Sequence, residues 1–201
     1  VARLMGQNAL VQEDVDTYKV NFGYILNEDI LLYAQATSGY RAGGFNPANV
    51  TNNTPPSSYG SDTLWSYELG AKTSWMDGLL IANATLYRID WTDMQLLTQT
   101  IVNGVNVAKI DNASKAQIDG LELEIDYRIA PFLTLGLNYA YTDATLEEDY
   151  SEGNAVAGDQ LPGSAKNTYT LFVDYEYALT DELDLSVRLT HRYVDTRLSA
   201  F

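Results

Sequence analysis

The chain has 201 residues, no cysteine, and 27 acidic against 12 basic side chains, for a formal net charge of −15 at pH 7. The missing thiols exclude a disulfide framework and a thiolate metal site, and the acidic balance excludes a nucleic-acid partner, which needs a basic stripe to neutralise phosphates. No apolar run approaches the roughly 18 residues that a membrane-spanning helix needs. The opening stretch VARLMGQNAL lacks both an initiator methionine and the charged-then-apolar order of a signal peptide, so the chain is expected to be an internal piece of a longer protein.

Residues up to about Asp16 carry no clear pattern. Tyr18, Val20, Phe22, Tyr24 and Leu26 then alternate with Lys19, Asn21, Gly23 and Ile25, the two-residue period of a strand. Asn27-Glu28-Asp29 supplies a tight turn, and a second strand runs from Ile30 towards Phe45. Residues 46–62, rich in Pro, Asn, Ser and Thr, are expected to be a loop, with Pro47, Pro55 and Pro56 opposing any ladder. The third strand sets Trp65, Tyr67, Leu69, Ala71, Thr73 and Trp75 against Ser66, Glu68, Gly70, Lys72 and Ser74, and closes on Met76-Asp77-Gly78, whose Asp-Gly pair is a hairpin signal.

A long fourth strand is expected from Leu79 to about Gln99. Its facing is ambiguous: Asn83 and Thr85 suit a polar face, but Ile81, Tyr87, Ile89 and Trp91 share their parity. Asn103-Gly104 marks the next reversal. The fifth strand is the most regular, with Leu121, Leu123, Ile125, Tyr127 and Ile129 opposed to Glu122, Glu124, Asp126 and Arg128. Ala130-Pro131 connects it to a sixth, where Leu133, Leu135, Leu137, Tyr139 and Tyr141 oppose Thr134, Gly136, Asn138, Ala140 and Thr142. Residues 148–163 form a second long polar loop. The seventh strand presents Tyr169, Leu171, Val173, Tyr175 and Tyr177, the turn Thr180-Asp181-Glu182 follows, and the eighth sets Leu183, Leu185, Val187 and Leu189 against Asp184, Ser186, Arg188 and Thr190.

These elements make an all-β, antiparallel, up-and-down meander of about eight strands. Short turns follow the odd strands and longer connections the even ones, the arrangement of transmembrane barrels. The apolar parity carries aromatics near its ends. Tyr24, Trp75, Tyr127 and Tyr177 lie beside the short turns, and Trp65, Tyr139, Tyr141 and Tyr193 towards the opposite ends. They are expected to form two girdles at the membrane boundaries. Glu68, Lys72, Glu122, Glu124, Asp126 and Arg128 are expected to face the lumen; a merely solvated strand face is the alternative. Acid–base catalysis or glycoside hydrolysis is not expected, because nothing sets these carboxylates apart from one another. His191 is the only histidine, and neither a metal site nor a cofactor is expected. Arg41 and Phe45 at the base of the first long loop, with Trp91, are candidate ligand groups at the barrel mouth; a rim arginine and aromatics that hold loops together are the structural alternative.

Several segments, in order, resemble the TonB-dependent outer-membrane receptors of the siderophore and iron-complex type. Ser38–Pro47 (SGYRAGGFNP) is similar to the strand end that opens a large extracellular loop there. Ser66–Lys72 (SYELGAK) with Trp75–Gly78 (WMDG), and Asn83–Gln95 (NATLYRIDWTDMQ), resemble the family's strand–turn pattern; Asn112–Ala116 (NASKA) with Gly120–Glu124 (GLELE) is similar to a further segment. The resemblance implies a barrel of about 22 strands in the Gram-negative outer membrane. It also implies a plug domain of the same protein inside the barrel, energy through the TonB complex, and a ferric siderophore or similar scarce nutrient as ligand. On that reading residues 1–201 are a partial barrel domain, with plug and remaining strands absent. Two rivals stand beside it: a complete eight-stranded outer-membrane barrel with a structural or adhesive role, and a soluble all-β binder or hydrolase, against which the ordering of the aromatics speaks.

Overall fold

The computed structural model describes residues 13–46, 57–102, 105–112, 115–150 and 155–199, with the backbone alone over 98–102 and 105–107. The main sheet contains β1 (Lys19–Asn27), β2 (Ile30–Arg41), β5 (Asp62–Trp75), β6 (Leu80–Thr92), β9 (Ala116–Ala130), β10 (Leu133–Leu146), β11 (Asn167–Thr180) and β12 (Leu183–Val194). Each pairs antiparallel with its neighbour in that order, as a meander of eight strands. Among the described residues β1 and β12 pair on one side only, so the sheet stays open.

Four short strands lie outside the main sheet. β3 (Gly44–Phe45) pairs with β4 (Ser58–Tyr59), and β7 (Gln95–Val102) with β8 (Val105–Asn112). Both pairs belong to connections at the same end of the sheet, between β2 and β5 and between β6 and β9. The expected single strand over 79–99 is therefore two strands. The chain breaks at Asp93, which takes a left-handed φ of 54°, and β7 leaves the sheet to form its own hairpin. The Asn103-Gly104 reversal lies outside the described residues. The segment 46–62 is also more than a loop: Ser58 and Tyr59 form a short ladder with Phe45 and Gly44. Leu26 falls where the β1–β2 register shifts between Ile25 and Asn27, which ends its alternation.

Register assigns every side chain to one of two faces, because directly opposed residues point the same way. Ala84 pairs with Leu123, Leu123 with Tyr139, Tyr139 with Tyr169, and Tyr169 with Tyr193. From Ala84 this apolar row continues through Ala71 and Leu32 to Tyr24 on β1. The ambiguity of β6 resolves the same way. Leu80, Ala82, Ala84 and Leu86 oppose Tyr127, Ile125, Leu123 and Leu121, which sends Asn83, Thr85 and Tyr87 to the face of Glu124, Glu122 and Gly120.

Two of the aromatics on the polar face are there for a steric reason. Tyr33 on β2 lies directly opposite Gly70 on β5, and Tyr87 on β6 opposite Gly120 on β9. Each ring lies over its glycine so closely that a Cβ there would overlap it. The Tyr33 hydroxyl reaches Thr85 on the next strand at 2.8 Å, and the Tyr87 hydroxyl reaches Thr142 at 3.1 Å. Each tyrosine thus ties three strands together. Phe172 covers Gly136 in the same manner.

The buried apolar cluster sits at one end of the sheet. Met94, Ala116, Ala144, Leu146, Tyr150, Ala155 and Leu161 form it, with Trp91, Leu96 and Ile118 packed against them. The 148–163 connection, expected to be a polar loop, contributes Tyr150, Ala155 and Leu161 to this core. Its backbone returns to β10 through Leu146 N–H to Asp159 O (2.9 Å) and Leu161 N–H to Ala144 O (2.8 Å).

Gly120→Ala in the intact protein should force Tyr87 off β9 and lower unfolding stability by about 1–3 kcal/mol, the usual penalty of overpacking. Gly39→Ala, whose added methyl meets only Leu64 at 3.7 Å, should cost far less. Combined with Tyr87→Ala, most of the Gly120→Ala penalty should disappear. Urea unfolding of the four variants in detergent, read as a double-mutant cycle, checks this.

Candidate ligand mouth

At the capped end of the sheet, the last residue of β2 opposes the first of β5, Arg41 against Asp62. Asp62 is 1% exposed. A carboxylate so deeply withdrawn from water needs several donors. The Arg41 guanidinium supplies a forked pair, with Nε at 2.9 Å from Oδ2 and the terminal nitrogen closer still. The backbone N–H groups of Arg41 (3.2 Å) and Gln95 (3.0 Å) complete the set. Asp62 lies three residues beyond the Trp65 ring, outward of the apolar band. Burial pushes its carboxyl upward, but the hydrogen bonds from Arg41 and Gln95 and the Arg41 charge outweigh it and hold the pKa below the ordinary value.

Arg41 is held on two further sides. Its guanidinium lies over the Trp91 ring, 4.8 Å from the centroid, and donates to Gln95 O at 3.1 Å. The structure thus brings two of the three candidate mouth residues together. Phe45 lies on β3 opposite Ser58. Half of the Arg41 side chain remains exposed although its guanidinium is held by Asp62, Trp91 and Gln95 O.

Side-chain amides knit the connections around this pair. Gln95 Nε2 donates to Ala42 O and Gly60 O, each at 3.0 Å. Asn46 accepts from Ile110 N–H at 2.6 Å and donates to Ile110 O at 2.8 Å. Asn112 accepts from Gly60 N–H at 2.7 Å and donates to Gly60 O at 3.0 Å and Asp93 O at 2.8 Å. Gln95, Asn46 and Asn112 escape a reading by periodicity, because their partners are largely backbone groups of other connections, and so does Asp62, whose donors are the Arg41 side chain and two backbone N–H groups. Only Asp62 leaves a trace in the sequence: counting the β2–β5 register outward from Ala34 opposite Leu69 brings two opposite charges face to face at Arg41 and Asp62.

The polar face carries Glu68, Lys72, Glu122, Glu124, Asp126 and Arg128 on β5 and β9. A cleft of about 380 Å³ lies on it, lined among others by Tyr33, Lys72, Asn83, Thr85, Glu122 and Glu124. Asn83 donates to Glu124 at 3.0 Å and Gln35 to Glu68 at 3.3 Å. Nearer the short turns, Asp126 and Arg128 border a second cleft with Asp174, Arg188 and Phe172, where Arg188 bonds Asp174 (2.5 Å) and covers the Phe172 ring (5.0 Å). No group of metal-ligating side chains occurs among the described residues.

Register sets the expected girdle residues Tyr24, Trp65, Trp75, Tyr127, Tyr139, Tyr141 and Tyr177 on the apolar face. Stacked rings recur there: Tyr18 on Trp65 (6.4 Å), Trp65 on Tyr67 (6.1 Å) and Tyr169 on Tyr193 (5.1 Å). His191 shares this face and lies 5.9 Å from the Tyr169 ring.

Comparison with known proteins agrees with this geometry. The pesticin receptor of Yersinia pestis is 28% identical over 153 residues, which is 75% of this chain and 22% of that protein. A TonB-dependent receptor of Haemophilus influenzae is 27% identical over 87% of this chain and 52% of its own length. The chain therefore spans between about a fifth and about half of these curated relatives. Among solved structures, the ferric yersiniabactin uptake receptor FyuA of Yersinia pestis superposes with a TM-score of 0.67 at 23% identity, covering 88% of this chain and 25% of that one. The ferric preacinetobactin receptor BauA of Acinetobacter baumannii gives 0.63 at 19%, covering 89% and 25%. These relatives are receptors, not enzymes. The family model for the TonB dependent receptor-like β-barrel matches residues 6–200, and the chain belongs to that family.

Proposed function

We propose that this chain is part of the wall and mouth of an outer-membrane receptor for TonB-energised uptake of a ferric siderophore or a similar scarce nutrient. The observation that carries this reading is the division of one sheet into two faces, with folded connections capping one end. The apolar face, with Leu123, Leu137 and their neighbours between two levels of rings, meets outer-membrane lipid. The polar face of Glu68, Lys72, Glu122, Glu124, Asp126 and Arg128 lines the lumen and meets a plug domain of the same protein. The capped end, with Arg41 over Trp91, faces the outside and takes part in holding the ligand. The named ligands of the solved relatives, ferric yersiniabactin and ferric preacinetobactin, support an iron chelate as the ligand class. The open edges of β1 and β12 do not favour a complete eight-stranded barrel.

No covalent step is needed. The wall contributes a fixed frame, and the half-exposed Arg41 side chain offers a positive group to an anionic chelate. Iron-limited cells expressing the full receptor, with and without TonB, test the reading against a panel of ferric chelates. Growth and radio-iron uptake on at least one chelate should require both the receptor and TonB; dependence on neither would refute it.

Facing can be tested separately. Leu123→Arg in the full receptor should cost about 2–4 kcal/mol if the residue lies near the bilayer midplane, and Glu124→Gln much less. Equal tolerance at both positions in a bilayer unfolding assay would contradict the assigned faces.

Arg41→Ala should lower chelate affinity and surface abundance together, because it leaves the Asp62 carboxylate buried beside fewer donors, a loss of about 1–3 kcal/mol. Adding Asp62→Asn should restore abundance and leave affinity low. Binding titrations alongside surface labelling separate the two effects.

A further inference from the structure

We infer that the described parts of the three connections at the capped end, β2–β5, β6–β9 and β10–β11, form one rigid body and do not move independently. Surface connections of a barrel ordinarily move as separate units, since each is anchored only to its own two strands. Here the bonds run between connections. Asn46 from the first pairs with Ile110 in the second through both amide atoms (2.6 and 2.8 Å), and Asn112 from the second pairs with Gly60 in the first (2.7 and 3.0 Å). Each side chain takes the place of a strand residue, donating and accepting at a single backbone position. Gln95 adds its donations to Ala42 O and Gly60 O.

Asp62 is the positioning residue of this seam. Its buried carboxylate binds Arg41 at the start of the first connection and the Gln95 N–H at the start of β7 in the second. The second connection is joined to the third by burial. Met94 lies in the same apolar cluster as Tyr150, Ala155 and Leu161. Glu147 N–H also bonds Lys115 O (2.8 Å), and Lys115 pairs with Glu148 at 3.1 Å. A contact made with any one connection therefore acts on all three.

Hydrogen–deuterium exchange of the whole receptor in detergent micelles tests this without any ligand. Asn112→Ala removes a side chain of the second connection only. It should speed exchange by about tenfold or more in peptides covering residues 57–61 of the first connection, with mid-strand peptides of β9 unchanged. Met94→Ala should do the same in peptides covering residues 159–164 of the third. Faster exchange confined to the connection that carries the substitution would overturn the inference. Gln95→Ala, which keeps the Gln95 N–H bond to Asp62, repeats the first arm should Asn112→Ala fail to insert. A failure here leaves the transport reading standing, because receptor-dependent uptake is measured independently of it.

Discussion

Everything in this sheet depends on register. Along the long strands, most strictly in β9 and β10, one parity suits an apolar surrounding and the other suits water, and the two are separated by a single residue. A slip by one position would exchange the faces along a whole strand, moving Leu121, Leu123 and Ile125 to where Glu122 and Glu124 now lie. In a bilayer the backbone is equally constrained, because unpaired N–H and C=O groups in hydrocarbon cost several kcal/mol each. Pairing and facing are therefore one problem here. The two edges, β1 and β12, mark where the pairing seen in this chain stops.

The strands with the strictest alternation were legible in the sequence. β9 and β10 could be read directly, since every other residue of Leu121–Ile129 and Leu133–Tyr141 is apolar. β6 could not, and its reasons are tertiary. Tyr87 belongs on the polar face because Gly120 leaves room for its ring and Thr142 receives its hydroxyl. Ile89 opposes Ile118 there, and Trp91 joins the core at the capped end. Its apparent length was misleading because Gln95–Val102 also favours a strand; only the left-handed turn at Asp93 separates the two. The connections were least legible. Asn46 and Asn112 act through two-way contacts with backbone groups distant in sequence, which no periodic signal carries. Of the candidate mouth residues, Arg41 and Trp91 meet, and Phe45 pairs with Ser58 on the neighbouring short ladder.

The capped end also gathers the burial that the sheet lacks. The sheet has two exposed faces in this chain and little it can bury by itself. Full burial of apolar side chains among the described residues occurs where connections fold over β9 and β10. Hydrophobic contact there, amide pairing beside it, and one buried carboxylate with its arginine act on a small region. Preorganisation of this kind lowers the entropy lost when a surface engages a ligand. It suits a wall whose role, in the proposed reading, is to hold a recognition surface steady over a lumen.

The tyrosines laid over glycines have a mechanical consequence. Backbone hydrogen bonds between antiparallel strands run across the strands and join each strand only to its immediate neighbours. Tyr33 and Tyr87 each leave one strand, cross a second at its glycine and bond to a third. They act as cross-braces: for neighbouring strands to slide, a ring must climb out of its glycine gap and release a hydroxyl two strands away. These braces add to the backbone ladder a link that spans three strands, and it is set by the glycines as much as by the rings.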